Sequence, residues 1–392
     1  MTPAARTQAA IELLDEIIVA ARDGGSAADA IAKRFFAGRR YAGSKDRRAV
    51  RDLVWRAIRR FGERPESGRA ALVALADGDA ALAASFDGSG YGAAPISADE
   101  PRAEVSLLPR LLDGHFASLI DAKERQALLE RAPLDLRVNR MKVDRETVLA
   151  ELPEAQPLAL PDALRLPTDF ALDRHPLFLD GKVEVQDYGS QLIVAACDAQ
   201  PGQIVLDLCA GAGGKTLALA AAMQGEGRLI ATDTNRNRLD QLRPRALRAG
   251  AKFIETHLLN PGREQEMLGS LRERCDIILI DAPCSGSGTW RRSPETRWRL
   301  NPERLKRVVE TQARLLHLGA EMVAPGGKLV YAVCSVLEAE GRGQVDAFLA
   351  DVPGWRAEIL ALPAGRAHGA GLLLTPLHDQ CDGFYFAALR KL

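Results

Sequence analysis

Three things are scarce in this chain of 392 residues: paired cysteines, long apolar runs and net charge. The six cysteines (Cys197, Cys209, Cys275, Cys284, Cys334, Cys381) contain no Cys-x-x-Cys pair, which argues against zinc and leaves no metal expected. So few cysteines in a chain this long read as reduced thiols in the cytoplasm. No apolar run approaches about 18 residues, so no membrane span is expected. The opening stretch, Met1 to Thr7, lacks the charged-then-apolar layout of a signal peptide. Fifty-two Lys and Arg balance 52 Asp and Glu. The overall charge therefore gives no hint of nucleic acid, and such a partner must be argued from local patches. What remains, 47% hydrophobic and 27% charged residues, is the composition of a globular protein long enough for two or three domains.

The richest stretch is 203–216. Ile204 to Leu208 is a short apolar run suited to a buried strand. It gives way to Cys209, Ala210, Gly211, Ala212, Gly213 and Gly214, and a helical pattern follows from Thr216. Strand, glycine turn and helix open a nucleotide-binding α/β unit, in which backbone N–H groups approach a ligand at the positive end of a helix. Three ligands compete for the turn. A phosphate loop needs Gly, four residues, then Gly-Lys-Ser/Thr; Gly214-Lys215-Thr216 fits, but Cys209 stands where the first glycine belongs. A dinucleotide fingerprint fits Gly211 and Gly213 but meets Thr216 at the third glycine. S-adenosylmethionine needs only the tight turn and an acid for its ribose. Asp233 ends the next apolar run at about the right spacing for that acid.

Residues 5–75 read as helices, with Leu13, Leu14, Ile17 and Ile18 at helical spacing. Residues 33–60 are basic, including Lys33, Arg34, Arg39, Arg40, Lys45, Arg47, Arg48, Arg51, Arg56, Arg59 and Arg60. They form either a solvated face or an electrostatic footprint for a phosphate backbone. Residues 76–105 lack a period and read as an irregular connection, and 107–130 as helical again. Residues 131–182 suggest a small α/β module. Beyond it, strands at 204–208, 228–232, 252–257, 276–281 and 328–333 alternate with helices near 215–224, 235–249 and 302–323. That alternation implies a parallel sheet, with active groups at the carboxyl ends of its strands. The rule selects Asp207, Asp233, Asp281 and Cys334.

Cys284 and Cys334 each follow the end of an apolar strand, beside the ligand turn. The other cysteines read as packing or, for Cys209, a backbone contact. A methyl donor beside two thiols suggests chemistry at an unreactive carbon. Thiolate addition at C6 of a pyrimidine makes C5 a carbanion equivalent able to take a methyl group. Such a step needs an ionisable thiol and a group on the ring's Watson–Crick edge, for which Asp281 and Lys215 are candidates. The base must leave its stack to reach them.

From about Arg137 onward these motifs resemble the Sun/Nop family of RNA cytosine-C5 methyltransferases. Val185-Gln186-Asp187 with Ser190-Gln191, then Asp207 to Thr216, Asp281 to Gly288, Tyr331 to Ser335 and Asp382 to Phe386 occur in family order. The resemblance implies that Cys334 is the nucleophile and that Cys284 helps release the methylated RNA. It implies donor contacts from Cys209 to Lys215, Asp233 and Asp281. Three departures stand out. Gly211 and Ala212 replace an Ala-Pro pair, and Leu337 to Gly341 replace Pro-Glu-Glu-Asn. The third falls where the family has a donor-binding aspartate, on Asn260 or on its neighbour Leu259. Ser44 to Trp55 resemble the NusB-like RNA-binding domain of bacterial members that modify small-subunit ribosomal RNA.

The expected fold is α/β: a Rossmann-like methyltransferase domain with a mostly parallel sheet (183–392), preceded by a small α/β module (131–182) and an all-helical NusB-like domain (1–130). The expected activity is S-adenosyl-L-methionine-dependent methylation of a cytosine C5 in RNA, rRNA ahead of tRNA, by a monomer. A methyltransferase acting on a small molecule or protein, and a non-catalytic RNA-binding assembly factor, are the alternatives.

Overall fold

Five strands expected from the sequence form the parallel part of a nine-stranded sheet in the computed structural model, which describes residues 1–392. Ahead of that sheet lies a smaller, four-stranded antiparallel one, order β2-β3-β1-β4, made by β1 (Leu134–Val138), β2 (Gln156–Pro157), β3 (Ala163–Leu166) and β4 (Val183–Val185). The large sheet begins with β5 (Ile204–Asp207), β6 (Arg228–Asp233), β7 (Ile254–Leu258), β8 (Cys275–Asp281) and β9 (Val323–Val333). In space these five run β9-β8-β5-β6-β7, all parallel. Val205, Leu206, Ile278, Leu279, Ile280 and Val330 are fully buried. Strands covered on both faces are apolar without alternation, which is why they stand out as runs in the sequence.

The far edge is antiparallel. β13 (Phe384–Lys391) lies against β9, and β10 (Trp355–Ala357), β11 (Arg366–His368) and β12 (Gly371–Leu374) extend the sheet beyond it. Two expected helices differ. The 235–249 helix breaks into Arg236–Leu239 and Leu242–Ala249. Pro244 cannot donate to Asp240 and would crowd its carbonyl, so the helix restarts with the proline inside its first turn. Residues 107–130 hold only a 3-10 turn at Arg110–Leu112 and a helix at Ala122–Ala127, with Gly114 at positive φ between them.

The chain divides into two compact units. One comprises Met1–Phe116, Asp121–Glu130 and Thr289–Arg304; the other holds both sheets. The first is built on α1 (Pro3–Asp23), α2 (Ala28–Ala37), α3 (Ser44–Arg60) and α4 (Gly68–Ala76). Thr2 caps α1, its hydroxyl accepting from the Ala5 N–H at 3.2 Å, and Gly24 ends it in the left-handed region. Leu13, Leu14 and Ile17 of α1 pack in one core with Val50, Val54 and Ile58 of α3. Trp298, more than two hundred residues further along, completes that core.

Candidate active site

The donor turn follows from β5. Asp207 closes the strand and is buried, accepting from the Thr216 hydroxyl at 2.7 Å. Burial pushes its pKa up to about 7, partly offset by that bond. Asp207 therefore braces the turn and, unlike Asp233 and Asp281, does not line the cleft. Gly213, at φ 84°, is the N-cap of helix Gly214–Ala222. A Cβ there would sit 2.0 Å from the Leu242 side chain, so glycine is required twice over. Asp233, at the end of β6, accepts from the Gly211 N–H at 2.8 Å on one oxygen and from the Asn235 N–H at 2.7 Å on the other. Each oxygen keeps a lone pair for a further donor such as a ribose hydroxyl.

Beside the turn is a cleft of about 460 Å³, within the range of roughly 300–1,000 Å³ typical of small-ligand sites. Cys209, Asp233, Asp281, Cys284 and Cys334 all line it. Ala210, Gly211, Ala212, Gly213 and Gly214 shape the turn without lining the cleft. Asn260 stays outside: its side chain is exposed, and buried Leu259 lines the wall instead. The Leu259 N–H bonds the Asp233 carbonyl at 2.9 Å, and this fixes which of the two neighbours turns inward. Four lining residues carry no local sequence signal: Arg238, Leu315 and the ion pair Arg314–Glu264, whose charged atoms are 3.1 Å apart. The acid at the β6 end, the left-handed glycine and the leucine wall fit an adenosine-bearing methyl donor.

Lys215 reaches back from the first turn of its helix to Asp281, Nζ to Oδ2 2.7 Å. Burial alone would lower the lysine's pKa, but the charge and hydrogen bond of Asp281 raise it, so it stays cationic. The Phe384 ring stands 5.6 Å from that ammonium, which gives the segment around Asp382–Phe386 a contact at the site. The Asp281 carboxylate is thus oriented at the mouth of the strand, and its side chain remains 31% exposed.

Two sulfurs meet just beyond. Cys284 Sγ and Cys334 Sγ are 3.2 Å apart, from the loops after neighbouring parallel strands β8 and β9. The Cys284 thiol is held well above its ordinary pKa by its bond to Cys334, then by burial and by negative charge at Cys334 and Glu340. The Cys284 thiol is therefore held in its neutral form by its neighbour. Burial raises Cys197 and Cys275 to about 12, and pushes Cys209 and Cys381 well up. None of these four is poised as a nucleophile.

A Rossmann-like sheet, a glycine turn with an acid at the end of the next strand, and a cleft beside both make the fold that of the Rossmann-like methyltransferases. A family model described as 16S rRNA methyltransferase RsmB/F matches residues 194–390. A probable ribosomal RNA small subunit methyltransferase B of Synechocystis sp. is 35% identical over 272 residues, covering 66% of this chain and 60% of that protein. The ribosomal RNA small subunit methyltransferase B of Vibrio cholerae is 32% identical over 318 residues, covering 79% and 68%. A methyltransferase homologue from Pyrococcus horikoshii superposes with a TM-score of 0.62 at 27% identity, covering 71% of this chain and 92% of that one. The chain belongs to the RsmB/F family. It spans about three fifths of the length of the first curated relatives it matches. No helix is long and apolar enough to cross a membrane, and no cluster of three metal-ligating side chains is present.

Proposed function

We propose that this protein methylates C5 of a cytosine in RNA, with small-subunit ribosomal RNA as the substrate class, through a covalent bond between Cys334 and C6 of the base. One observation carries the reading: two thiols 3.2 Å apart on the wall of the cleft that also holds the donor-side acids. S-adenosylmethionine, when bound by Asp233, Cys209 and Leu259, supplies an electrophilic methyl group. Everything else falls to the chain.

The Cys334 thiolate adds to C6, and the C5–C6 π electrons move onto C5 and the N3/O2 edge of the ring. Asp281, fixed by Lys215, accepts from the exocyclic amino group that cytosine carries, and the Lys215 ammonium offsets the negative charge gained at N3/O2. Carbon C5 takes the methyl group. To finish, the C5 proton must leave, the C5–C6 double bond reform and Cys334 depart as a thiolate. Cys284 is the base for this second stage. Once the Cys334 sulfur is bonded to carbon it carries no charge, so its hydrogen bond and charge no longer hold the Cys284 pKa up, and burial and Glu340 remain. The adduct thus lets Cys284 lose its own proton to solvent, and the resulting thiolate takes the proton from C5.

On α3, Lys45, Arg48, Arg56 and Arg60 are exposed while Val50, Val54, Ala57 and Ile58 are buried. Arg51 and Arg56 already pair with Asp29 and Asp79. The remaining cations supply the phosphate contacts, and the names of the relatives favour ribosomal RNA.

The test is capture on RNA containing 5-fluorocytosine. Cys334→Ala should lose both methylation and the denaturant-resistant adduct. With ordinary RNA, Cys284→Ala should accumulate an adduct because release stalls. Capture that persists in Cys334→Ala would reverse the assignment of nucleophile.

A further inference from the structure

Glu340 lies outside the cleft, six residues past Cys334, and the mechanism above gives it no step. Its side chain is buried to 1% exposure. Four neutral donors surround the carboxylate. Oε1 accepts from the Ser285 N–H at 2.8 Å and from Gln312 Nε2 at 3.0 Å. Oε2 accepts from the Ser285 hydroxyl and from the Ser335 hydroxyl, the latter at 2.6 Å. Ser285 follows Cys284 in the chain and Ser335 follows Cys334, so one carboxylate grips the residue after each thiol. The grip is reinforced on both sides. Gln312 Nε2 also donates to the Pro283 carbonyl at 2.9 Å, on the other flank of Cys284. Ser287 Oγ lies 2.9 Å from Ser335 Oγ and accepts from the Val336 N–H at 3.0 Å. Glu340 itself is anchored by the Tyr331 hydroxyl, which donates to its carbonyl at 2.7 Å.

A buried carboxylate with no cation among these partners is costly unless its hydrogen bonds are complete. Packing alone would be served by an apolar residue. What the carboxylate adds is geometry shared between two loops that follow different strands. We propose that Glu340 is the positioning residue of the two-thiol centre: by binding Ser285 and Ser335 at once it fixes the distance between the sulfurs of Cys284 and Cys334. The inference rests on the two-thiol reading of the cleft for its catalytic meaning, but the distance it sets is measurable without catalysis.

Diamide oxidation of the full chain serves as a ruler. It withdraws two electrons and two protons from a thiol pair, forming the Cys284–Cys334 disulfide at a rate that reports how often the sulfurs meet. Glu340→Ala should slow that cross-link about tenfold and lower kcat for adduct formation in step, with KM for RNA within about twofold. Glu340→Gln should keep at least about a third of the wild-type cross-linking rate. Its amide oxygen can accept from Ser285 and Gln312, while its NH₂ donates to the two hydroxyls, which rotate to accept. Should Glu340→Ala fail to fold, the Ser285→Ala/Ser335→Ala double variant takes its place and should slow cross-linking at least about threefold. Wild-type cross-linking rates in Glu340→Ala, or in that double variant, would overturn the proposal. A wild-type protein that forms no adduct on fluorinated RNA would instead sink the two-thiol chemistry, with the cross-linking comparison still deciding the role of Glu340.

Discussion

The proton shared by Cys284 and Cys334 is the most consequential feature at the scale of single residues. A thiol raised by a neighbour's charge recovers when the neighbour is neutralised. Cys334→Ala removes both the hydrogen bond and the charge, leaving burial and Glu340 as the remaining causes of the shift. The pKa of Cys284 should therefore fall, and its thiolate fraction at a given pH should rise. Alkylation of the Cys284 peptide by iodoacetamide, followed by mass spectrometry, should be faster in Cys334→Ala than in wild type near pH 8, because more of the thiol is thiolate. Equal rates in the two proteins would mean that Cys334 does not control that proton. The ordering of the two stages, addition before deprotonation, would then need another cause.

At the scale of elements, the two cysteine loops are held by backbone as well as by Glu340. The Gly288 N–H donates to the Cys334 carbonyl at 3.0 Å, and the Gly383 N–H donates to the Gly288 carbonyl at 2.8 Å. A Cβ on Gly288 would come within 1.9 Å of the Gly383 carbonyl oxygen, with backbone on both sides and no flexible side chain to yield. Gly288→Ala should thus separate the loop after β8 from the loop after β9, costing about 2–4 kcal/mol in urea unfolding together with most of the activity. A variant of wild-type stability would show that the loops give way easily. The same loops show where sequence reading succeeds and where it stops. Strands buried on both faces are apolar runs, and the residues at their carboxyl ends can be picked out from the order of residues alone. Cys284, Cys334, Asp281 and Asp233 fall into one cleft by that rule, and the same rule wrongly brings in Asp207, which braces the glycine turn from beneath. Glu340, Arg238 and the Arg314–Glu264 pair reach the site from helices or helix ends, where neighbouring residues give no hint of what lies across the fold. Asn260 and Leu259 are adjacent in sequence, and only the bond from the Leu259 N–H to the end of β6 decides between them.

At the scale of the whole molecule, the helical unit is not one continuous stretch of chain. Its last piece, Thr289–Arg304, arrives directly after the Cys284 loop. Within that piece the chemistry of four residues suits helix ends. The Glu295 carboxylate accepts from the Ala28 N–H at 3.1 Å, at the start of α2, whose N-cap Ala27 has no side chain to do so. Arg297 donates to the last carbonyls of α3, at Ile58 and Phe61, and Trp298 Nε1 donates to the Phe61 carbonyl at 2.8 Å. Arg299 donates to the Gly25 and Ser26 carbonyls after α1, at 2.7 and 2.6 Å. Acid at a helix start and cation at a helix end is the arrangement the backbone dipoles favour. Burial lowers the Arg297 pKa to about 9, still high enough for the guanidinium to stay charged at neutral pH. A fragment ending at Glu130 therefore lacks an indole from its core and three helix-end partners. Loss of Trp298 alone should cost about 3–5 kcal/mol, comparable with the whole stability of many small domains. Residues 1–130 expressed alone should accordingly show amide hydrogen exchange in α1 and α3 close to that of an unfolded chain, and an added peptide of residues 289–304 should restore protection. Full protection in the fragment without the peptide would show that the helices stand by themselves. Slow exchange only with the peptide would mean that truncating the N-terminal helices to test RNA binding also strips the partners from the segment next to Cys284. Charge substitutions at Lys45, Arg48 and Arg60, which leave that core intact, are then the sound way to weigh the basic face.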